Sequence, residues 1–324
     1  MFERELSATA AAMVAPGKGI LAIDESGGTI TKRFESIGIE SSVENRRAYR
    51  DLLITGNGLS QFISGMILYD ETIKQATKDG TPFPEVLKKN GILAGIKVDT
   101  GAKALPGAAG ELVTEGLDGL RERLADYKKL GATFAKWRAV ITVDKDTPSD
   151  YCIAANAHAL ARYAALCQEA GIVPIVEPEV LMDGNHTLER CFSVTENTLH
   201  TLFHELHKQR VRTEHLVLKA SMVIAGKDCA QQAGVLQVAE ATVRCLKRAV
   251  PAAVPGIVFL SGGQSDTVAT AHLNAMNAKG AALPWPLSFS YGRALQAPAL
   301  KAWKGIAANV AAAQQALYHR SKCN

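Results

Sequence analysis

Seven places in the chain put an ionisable or hydroxyl side chain at or just past the end of a short apolar run. They are Asp24, Lys97, Lys136 with Arg138, Glu177 with Glu179, Lys219, Ser261 and, slightly further on, Arg293. An apolar run gains nothing from ending in such groups unless something uses them. A partly desolvated lysine beside other cations can become a free amine and attack a carbonyl carbon. A neighbouring carboxylate can then shuttle protons as the carbinolamine loses water. The residue types therefore point to Schiff-base carbonyl chemistry, with Lys97, Lys136 and Lys219 all eligible as the nucleophile. Carboxylates and ammonium groups sharing one site must also perturb one another's ionisation.

Two glycine-bearing turns add a place for an anion. Ser261-Gly262-Gly263-Gln264-Ser265 follows one apolar run, and Ser290-Tyr291-Gly292-Arg293 follows the next. Backbone N–H groups at a helix N-terminus bind phosphate, and the Arg293 guanidinium can do so in a bidentate way. Neither turn is G-x-G-x-x-G or a Walker A loop, so nucleotide binding has no support.

These groups need a scaffold that brings them together. Eight short runs recur: Gly19–Asp24, Ile63–Tyr69, Ile92–Val98, Thr133–Arg138, Ile172–Glu177, His215–Lys219, Ile257–Ser261 and Pro286–Ser290. Near-continuous apolar runs of this length fit strands covered on both faces, as in parallel sheets. The stretches between them read as helices, among them Gly116–Leu130 before Gly131, and one headed by Thr147-Pro148 as N-cap and N1 that ends before Gly171. From Lys97 to Ser261 the marked residues lie 39, 41, 42 and 42 apart, one βα unit each. The expectation is an α/β fold, a single-domain (β/α)8 TIM barrel over residues 1–324, with an N-terminal helix in 1–18 and a C-terminal helix in 294–324. All the marked residues would then face one mouth, where barrel enzymes carry their chemistry. Strand alternation points Lys136 and Arg138 the same way, and likewise Glu177 and Glu179. Pro178 cannot donate to a ladder, so the strand is expected to stop there and free both carboxylates.

Composition bounds the partners. Apolar residues make up 47% and charged residues 21% of 324, which excludes disordered, collagenous and disulfide-scaffold chains. Lysine and arginine number 36 against 32 acids, a net +4 too dispersed for a nucleic-acid-binding stripe but compatible with a local basic pocket. The six cysteines form no C-x-x-C pair and read as reduced thiols, Glu3-Arg4-Glu5 spoils a signal peptide, and no apolar run is long enough to span a membrane. The expectation is a cytoplasmic protein with no nucleic-acid or membrane partner. His200, His204 and His207 in HTLFHELH lack the H-E-x-x-H spacing and read as a solvated helix face, so no metal is expected.

Long strings of the chain resemble class I fructose-bisphosphate aldolases. They are KGILAIDES (Lys18–Ser26), ENRRAYRDLL (Glu44–Leu53), GIKVD (Gly95–Asp99), FAKWRAV (Phe134–Val140), GIVPIVEPEVL (Gly171–Leu181), FLSGGQS (Phe259–Ser265) and FSYGRALQAPALKAW (Phe289–Trp303). The resemblance implies that Lys219 forms the Schiff base, with no metal or other cofactor, and that Asp24, Lys136 and Glu177 orient hydroxyls and move protons. It implies that Glu179 and Lys97 are the supporting charged pair. Ser261, Gly262, Gly292 and Arg293 would hold the C1 phosphate of the ketose, and Lys32, Arg33 and Arg138 would stand near the C6 phosphate. On this reading Lys32, Arg33, Lys97, Lys136, Arg138, Lys219 and Arg293 gather at one mouth, a concentration the net charge conceals. The implied partners are small-molecule sugar phosphates and further copies of the chain in a homotetramer.

Two departures qualify the match. Longer members of the family end in a flexible tail whose terminal tyrosine protonates the enamine, whereas this chain ends Ser321-Lys322-Cys323-Asn324 and its last tyrosine is Tyr318. A different proton route, or slow enamine turnover, is expected. Ala220-Ser221 stands after Lys219 where the family often has Pro-Asn, and Thr29 stands where serine is common. The rival reading is a binding or scaffolding role for the same barrel, which retention of both Lys219 and Glu177 disfavours. A preference for fructose 1-phosphate is a further variant of the enzymatic reading.

Overall fold

The structure is a computed structural model that describes residues 2–278 and 282–324. Its strands are β1 (Gly19–Ala22), β2 (Ile63–Leu68), β3 (Leu93–Lys97), β4 (Gly101–Ala104), β5 (Leu112–Glu115), β6 (Phe134–Ile141), β7 (Val173–Val180), β8 (Val217–Ala220), β9 (Ile257–Phe259) and β10 (Leu287–Tyr291). Each of the eight apolar runs supplies one strand of a closed, all-parallel barrel in the order β1-β10-β9-β8-β7-β6-β3-β2. Helices cover its outer face, so the strands are buried on both sides and had to be apolar nearly throughout.

Inside the barrel, alternate residues stack in layers. Ile20, Ile67, Phe134, Val173, Ile175, Val217 and Val258 form one buried cluster with Leu6, Ala10 and Met13 of the helix Glu3–Met13, whose i, i+4, i+7 face closes the N-terminal end. The Phe134 ring fills the space beside β2 and β3 that side chains would otherwise need. A Cβ built on Gly95 would come 2.2 Å from that ring and one on Gly65 2.9 Å, so both positions require glycine for packing. Two residues further along β6, β7 and β8 the inward positions change from apolar to charged, at Lys136, Glu177 and Lys219.

Several boundaries differ from expectation. β7 runs through Pro178 to Val180. The N–H groups of Val173 and Leu181 donate to Thr133 and Ile141 beside β6, so by alternation the Pro178 nitrogen faces β8, where pairing has already stopped at Val176↔Leu218. Its missing N–H therefore costs no ladder bond. The helix expected from Thr147-Pro148 is Asp150–Glu169, capped by Ser149, whose hydroxyl accepts from the Cys152 N–H. The helix expected at Gly116–Leu130 is Leu120–Lys129, because Gly116 and Gly119 take left-handed backbone. Between β3 and β6, β4 and β5 form an antiparallel hairpin that short, weakly apolar strings did not announce. The C-terminal region holds two helices, Arg293–Trp303 and Val310–Lys322, separated at Lys304 and Gly305, both at positive φ. Pro298 leaves the Ala294 carbonyl without its helical donor, and Arg320 Nε donates to it at 3.2 Å, tying the two helices together.

Gly95→Ala is expected to destabilise the barrel by about 1–3 kcal/mol through overpacking against Phe134. Combining it with Phe134→Leu should recover part of that loss. Urea unfolding of both variants checks this, and a Gly95→Ala protein as stable as the wild type would refute the packing account.

Candidate active site

The C-terminal ends of the barrel strands enclose a cavity of about 580 Å3. Its lining includes Asp24, Arg33, Tyr69, Lys97, Lys136, Arg138, Glu177, Glu179, Lys219, Ser261, Gly262, Gly292 and Arg293, so a single mouth receives residues from all eight strand ends. Lys32 is not among the lining residues and stands exposed on the helix Gly27–Glu35. Adjacent helical residues diverge by about 100°, so Lys32 and Arg33 cannot both face the mouth. A cavity of about 660 Å3 lies elsewhere, between the turn at Pro16 and the helix Asp266–Ala278, and holds none of the expected site residues.

The centre of the mouth is a chain of alternating charges. Lys136 Nζ lies 3.0 Å from Asp24 Oδ2 and 3.1 Å from Glu177 Oε2, and Lys219 Nζ lies 3.0 Å from Glu177 Oε1. Lys136, Glu177 and Lys219 are all buried. Burial by itself would raise the Asp24 carboxyl, but the ammonium groups of Lys136, Lys219 and Lys97 outweigh it and bring its pKa down to about 2. The same opposition, with Lys136 and Lys219 foremost, holds Glu177 below the usual carboxylate range. Lys136 moves the other way: burial alone would lower it, yet Asp24 and Glu177 raise it well above an ordinary lysine. Lys136 is therefore a fixed cation. Glu177 Oε2 touches Lys136 as an ion pair but makes no hydrogen bond.

The surrounding cations do not stand free. Lys97 Nζ pairs with Asp99 Oδ1 at 2.6 Å and donates to the Asp99 carbonyl at 2.7 Å. Glu179 takes Arg138 Nε, so the charged pair expected of Glu179 and Lys97 is replaced by two separate pairs. Arg33 is held by Glu25 and reaches towards Gly292, where a built Cβ would come 3.7 Å from its Nη2. Arg293 Nη2 donates to the Gln264 carbonyl at 2.7 Å. Gly262 and Gly263 adopt φ of +57° and +94°, which lets the turn after β9 curl over the mouth.

Sequence reasoning missed the residues that hold these groups in place. Buried Glu25 accepts from Arg33, from Gln296 Nε2 at 2.7 Å, and pairs with Arg50 Nη2 at 2.6 Å. Burial opposes its ionisation, and Arg50 and Arg33 nonetheless keep its carboxyl low. Its signal was its place directly after Asp24, and that of Asp99 was its place in GIKVD. His200, His204 and His207 are exposed on the helix Leu188–Lys208. Among the described residues no group of three or more His, Cys, Asp or Glu could hold a metal ion, and no helix is long and apolar enough to cross a membrane. The Tyr318 ring packs on Phe62 at 5.4 Å with its hydroxyl on Gln61, beside the N-terminal end of β2 and thus at the opposite end of the barrel from the mouth.

Comparison with known proteins finds relatives along nearly the whole chain. The family described as fructose-bisphosphate aldolase class-I matches residues 5–324. A probable fructose-bisphosphate aldolase class 1 of Xanthomonas axonopodis pv. citri is 64% identical over 321 residues, covering 99% of this chain and 96% of the relative. A fructose-bisphosphate aldolase of Dictyostelium discoideum is 56% identical, covering 100% and 91%. The structure of fructose-bisphosphate aldolase from Plasmodium falciparum, solved in complex with TRAP and a small-molecule inhibitor, superposes with a TM-score of 0.97 at 49% identity, covering 99% of this chain and 93% of that one.

The depressed Asp24 pKa has a consequence for stability. The group titrates near 2 in the folded chain against an ordinary 3.8 when unfolded, so its ionised form favours folding above about pH 4. That contribution, about 2 kcal/mol, is lost as pH falls from about 4 towards 2. Asp24→Asn has no carboxyl to protonate and should show an acid-side decline in unfolding free energy shallower by about that amount. Urea titrations of both proteins between neutral pH and about pH 2 check it, and parallel declines would contradict it.

Proposed function

The chain belongs to the class I fructose-bisphosphate aldolase family, whose members are lyases, and from that premise we propose a role for each residue of the mouth. The reaction is the reversible cleavage of fructose 1,6-bisphosphate to dihydroxyacetone phosphate and glyceraldehyde 3-phosphate through a lysine Schiff base, and it serves glycolysis and gluconeogenesis. The observation that carries the assignment is the 3.0 Å approach of Lys219 Nζ to Glu177 Oε1 at the buried end of β8.

Lys219 is the nucleophile. Its ammonium passes a proton to Glu177, and the resulting amine attacks the C2 ketone of the open-chain sugar to form a carbinolamine. Protonated Glu177 returns a proton to the departing C2 hydroxyl, water leaves, and a cationic iminium remains. A carboxylate removes the C4 hydroxyl proton, the C3–C4 bond breaks, glyceraldehyde 3-phosphate leaves, and the bonding electrons flow into a neutral enamine. Glu177 is assigned this step with Asp24 assisting. Protonation at C3 and hydrolysis of the iminium release dihydroxyacetone phosphate. The iminium is the electron sink that a bound cation would otherwise supply, and the Schiff base on Lys219 is the only covalent group the scheme needs. Lys136, a fixed cation between Asp24 and Glu177, orients both carboxylates and favours return of Glu177 to its ionised form after each proton transfer. Glu179 and Lys97, each in its own pair, brace the rim.

Ser261, Gly262, Gly292 and Arg293 are assigned the C1 phosphate, and Arg138 the C6 phosphate, with Arg33 on the rim; Lys32, outside the lining of the mouth, is given no phosphate role. The Arg138 side chain is 42% exposed despite its Glu179 pair, which leaves its outer nitrogens available to an incoming anion. The same family reading carries two coarser proposals: the chain assembles as a homotetramer and works in the cytoplasm.

Borohydride reduction in the presence of dihydroxyacetone phosphate should trap the substrate carbons on Lys219, and Lys219→Arg should abolish both trapping and cleavage. Absence of adduct on Lys219 would sink the mechanism. Glu177→Gln should lower kcat by about 10²–10⁴-fold. Arg138→Ala should raise KM for the bisphosphate while leaving KM for fructose 1-phosphate nearly unchanged. An equal rise for both substrates would reassign that arginine.

A further inference from the structure

Behind the turn after β9 lies a buried polar pair that the mechanism above does not use. His272, 5% exposed, stands on the helix Asp266–Ala278, and its Nδ1 is 2.6 Å from Oε1 of Gln264, itself 7% exposed. The same side-chain amide donates through Nε2 to the Ser261 carbonyl at 3.1 Å, a carbonyl that the Gln264 backbone N–H also reaches at 2.9 Å. The Gln264 backbone carbonyl in turn accepts from Arg293 at 2.7 Å. One glutamine thus ties Ser261, at the start of the turn, to Arg293, beyond the next strand, and His272 holds that glutamine from behind.

The donor inventory orients the pair. Nε2 of Gln264 is directed at the Ser261 carbonyl and, at 3.6 Å, at Met222 Sδ, so the amide oxygen must face His272. The imidazole therefore donates from Nδ1. Burial holds His272 below its ordinary pKa, which leaves the ring neutral at physiological pH. Removing this donor would leave a buried amide oxygen unsatisfied, a loss that favours rotation of the amide away from Ser261. Gly262 and Gly263 contribute no side chains to steady the turn between them. Its shape then depends on what grips its two ends.

We propose that His272 and Gln264 are positioning residues for the substrate phosphate: their hydrogen bond fixes the turn carrying Ser261 and Gly262, together with the Arg293 guanidinium, in the arrangement that receives the C1 phosphate. The proposal rests on the assignment of Ser261, Gly262 and Arg293 to that phosphate. It predicts an effect on substrate affinity and little on carbon–carbon cleavage, because the pair acts on the phosphate end of the site and not on Lys219 or Glu177.

Steady-state kinetics on fructose 1,6-bisphosphate with His272→Leu, His272→Asn and Arg293→Ala test it. His272→Leu should raise KM on the order of tenfold, with kcat within about twofold of wild type. His272→Asn, whose side-chain amide can donate near the place of Nδ1–H, should return KM to within about twofold. In an Arg293→Ala background, His272→Leu should add less than about twofold, because the guanidinium it positions is gone. Gln264→Met removes the side-chain hydrogen bonds to His272 and Ser261 at similar length and is read in the same way should His272→Leu fail to fold. An unchanged KM in His272→Leu, or a fall in kcat and thermal stability that His272→Asn does not restore, overturns the proposal and leaves His272 a packing residue. An unchanged KM in Arg293→Ala overturns the phosphate assignment itself, and the proposal with it.

Discussion

Glu177 is a carboxylate shared between two buried ammonium groups, and the rest of the mouth is arranged around the cost of that burial. Lys136 continues the chain to Asp24, so two carboxylates alternate with two ammonium groups in a row. Each charge is compensated by its neighbours, and deleting either inner member, Lys136 or Glu177, strips Asp24 or Lys219 of its only ion-pair partner in the row, a loss of several kcal/mol. Stability and chemistry here depend on the same contacts. Lys219 and Glu177 lie close enough to exchange a proton directly while both stay buried, and Lys136, positive on the far side, favours return of Glu177 to its ionised form.

The barrel makes this chain possible by spending its lower layers on apolar packing. Phe134, Val173 and Val217 occupy the interior below the charged layer, and the helix Glu3–Met13 seals the N-terminal end with Leu6, Ala10 and Met13. The layer beneath Lys136 and Lys219 thus offers water no polar side chain to bind. Glycines at 65 and 95 are what let one phenylalanine fill a space that three strands share. Around the rim, each cation leans on an acid or a carbonyl: Lys97 on Asp99, Arg138 on Glu179, Arg33 on Glu25, Arg293 on Gln264. Such pairing aims each cation and leaves its outer hydrogens for a dianion, at the expense of the free positive charge that a simple count of lysines and arginines suggests.

Much of this was legible in the chain itself. Apolar runs of strand length, repeated with helical stretches between them, admit few architectures, and the period of about 40 residues between Lys97, Lys136, Glu177, Lys219 and Ser261 put the reactive groups at equivalent strand ends. Two-residue alternation correctly paired Lys136 with Arg138 and Glu177 with Glu179. What failed were local rules applied without neighbours. Pro178 looked like a strand end, yet its nitrogen faces the side on which pairing with β8 has already stopped. The helix Asp150–Glu169 takes Ser149 as its cap, because only the folded turn decides which of the two hydroxyl residues flanking Pro148 meets the free N–H groups.

Residue types and their spacing along the chain determined the eight strands, the mouth and the kind of chemistry in it, because periodic burial and strand-end placement are properties of order along the chain. They left three lysines eligible as nucleophile, and family resemblance pointed to Lys219. Tertiary structure alone decided which acid each cation meets, that Lys32 faces away, that Glu25 and Asp99 enter the lining of the mouth, and that Gln264 and His272 stand behind it. Those pairings join residues far apart in sequence, such as Asp24 with Lys136, Glu25 with Gln296 and Arg293 with Gln264. Ångström-scale distances between side chains on different strands depend on barrel closure and register, which no one-dimensional pattern contains.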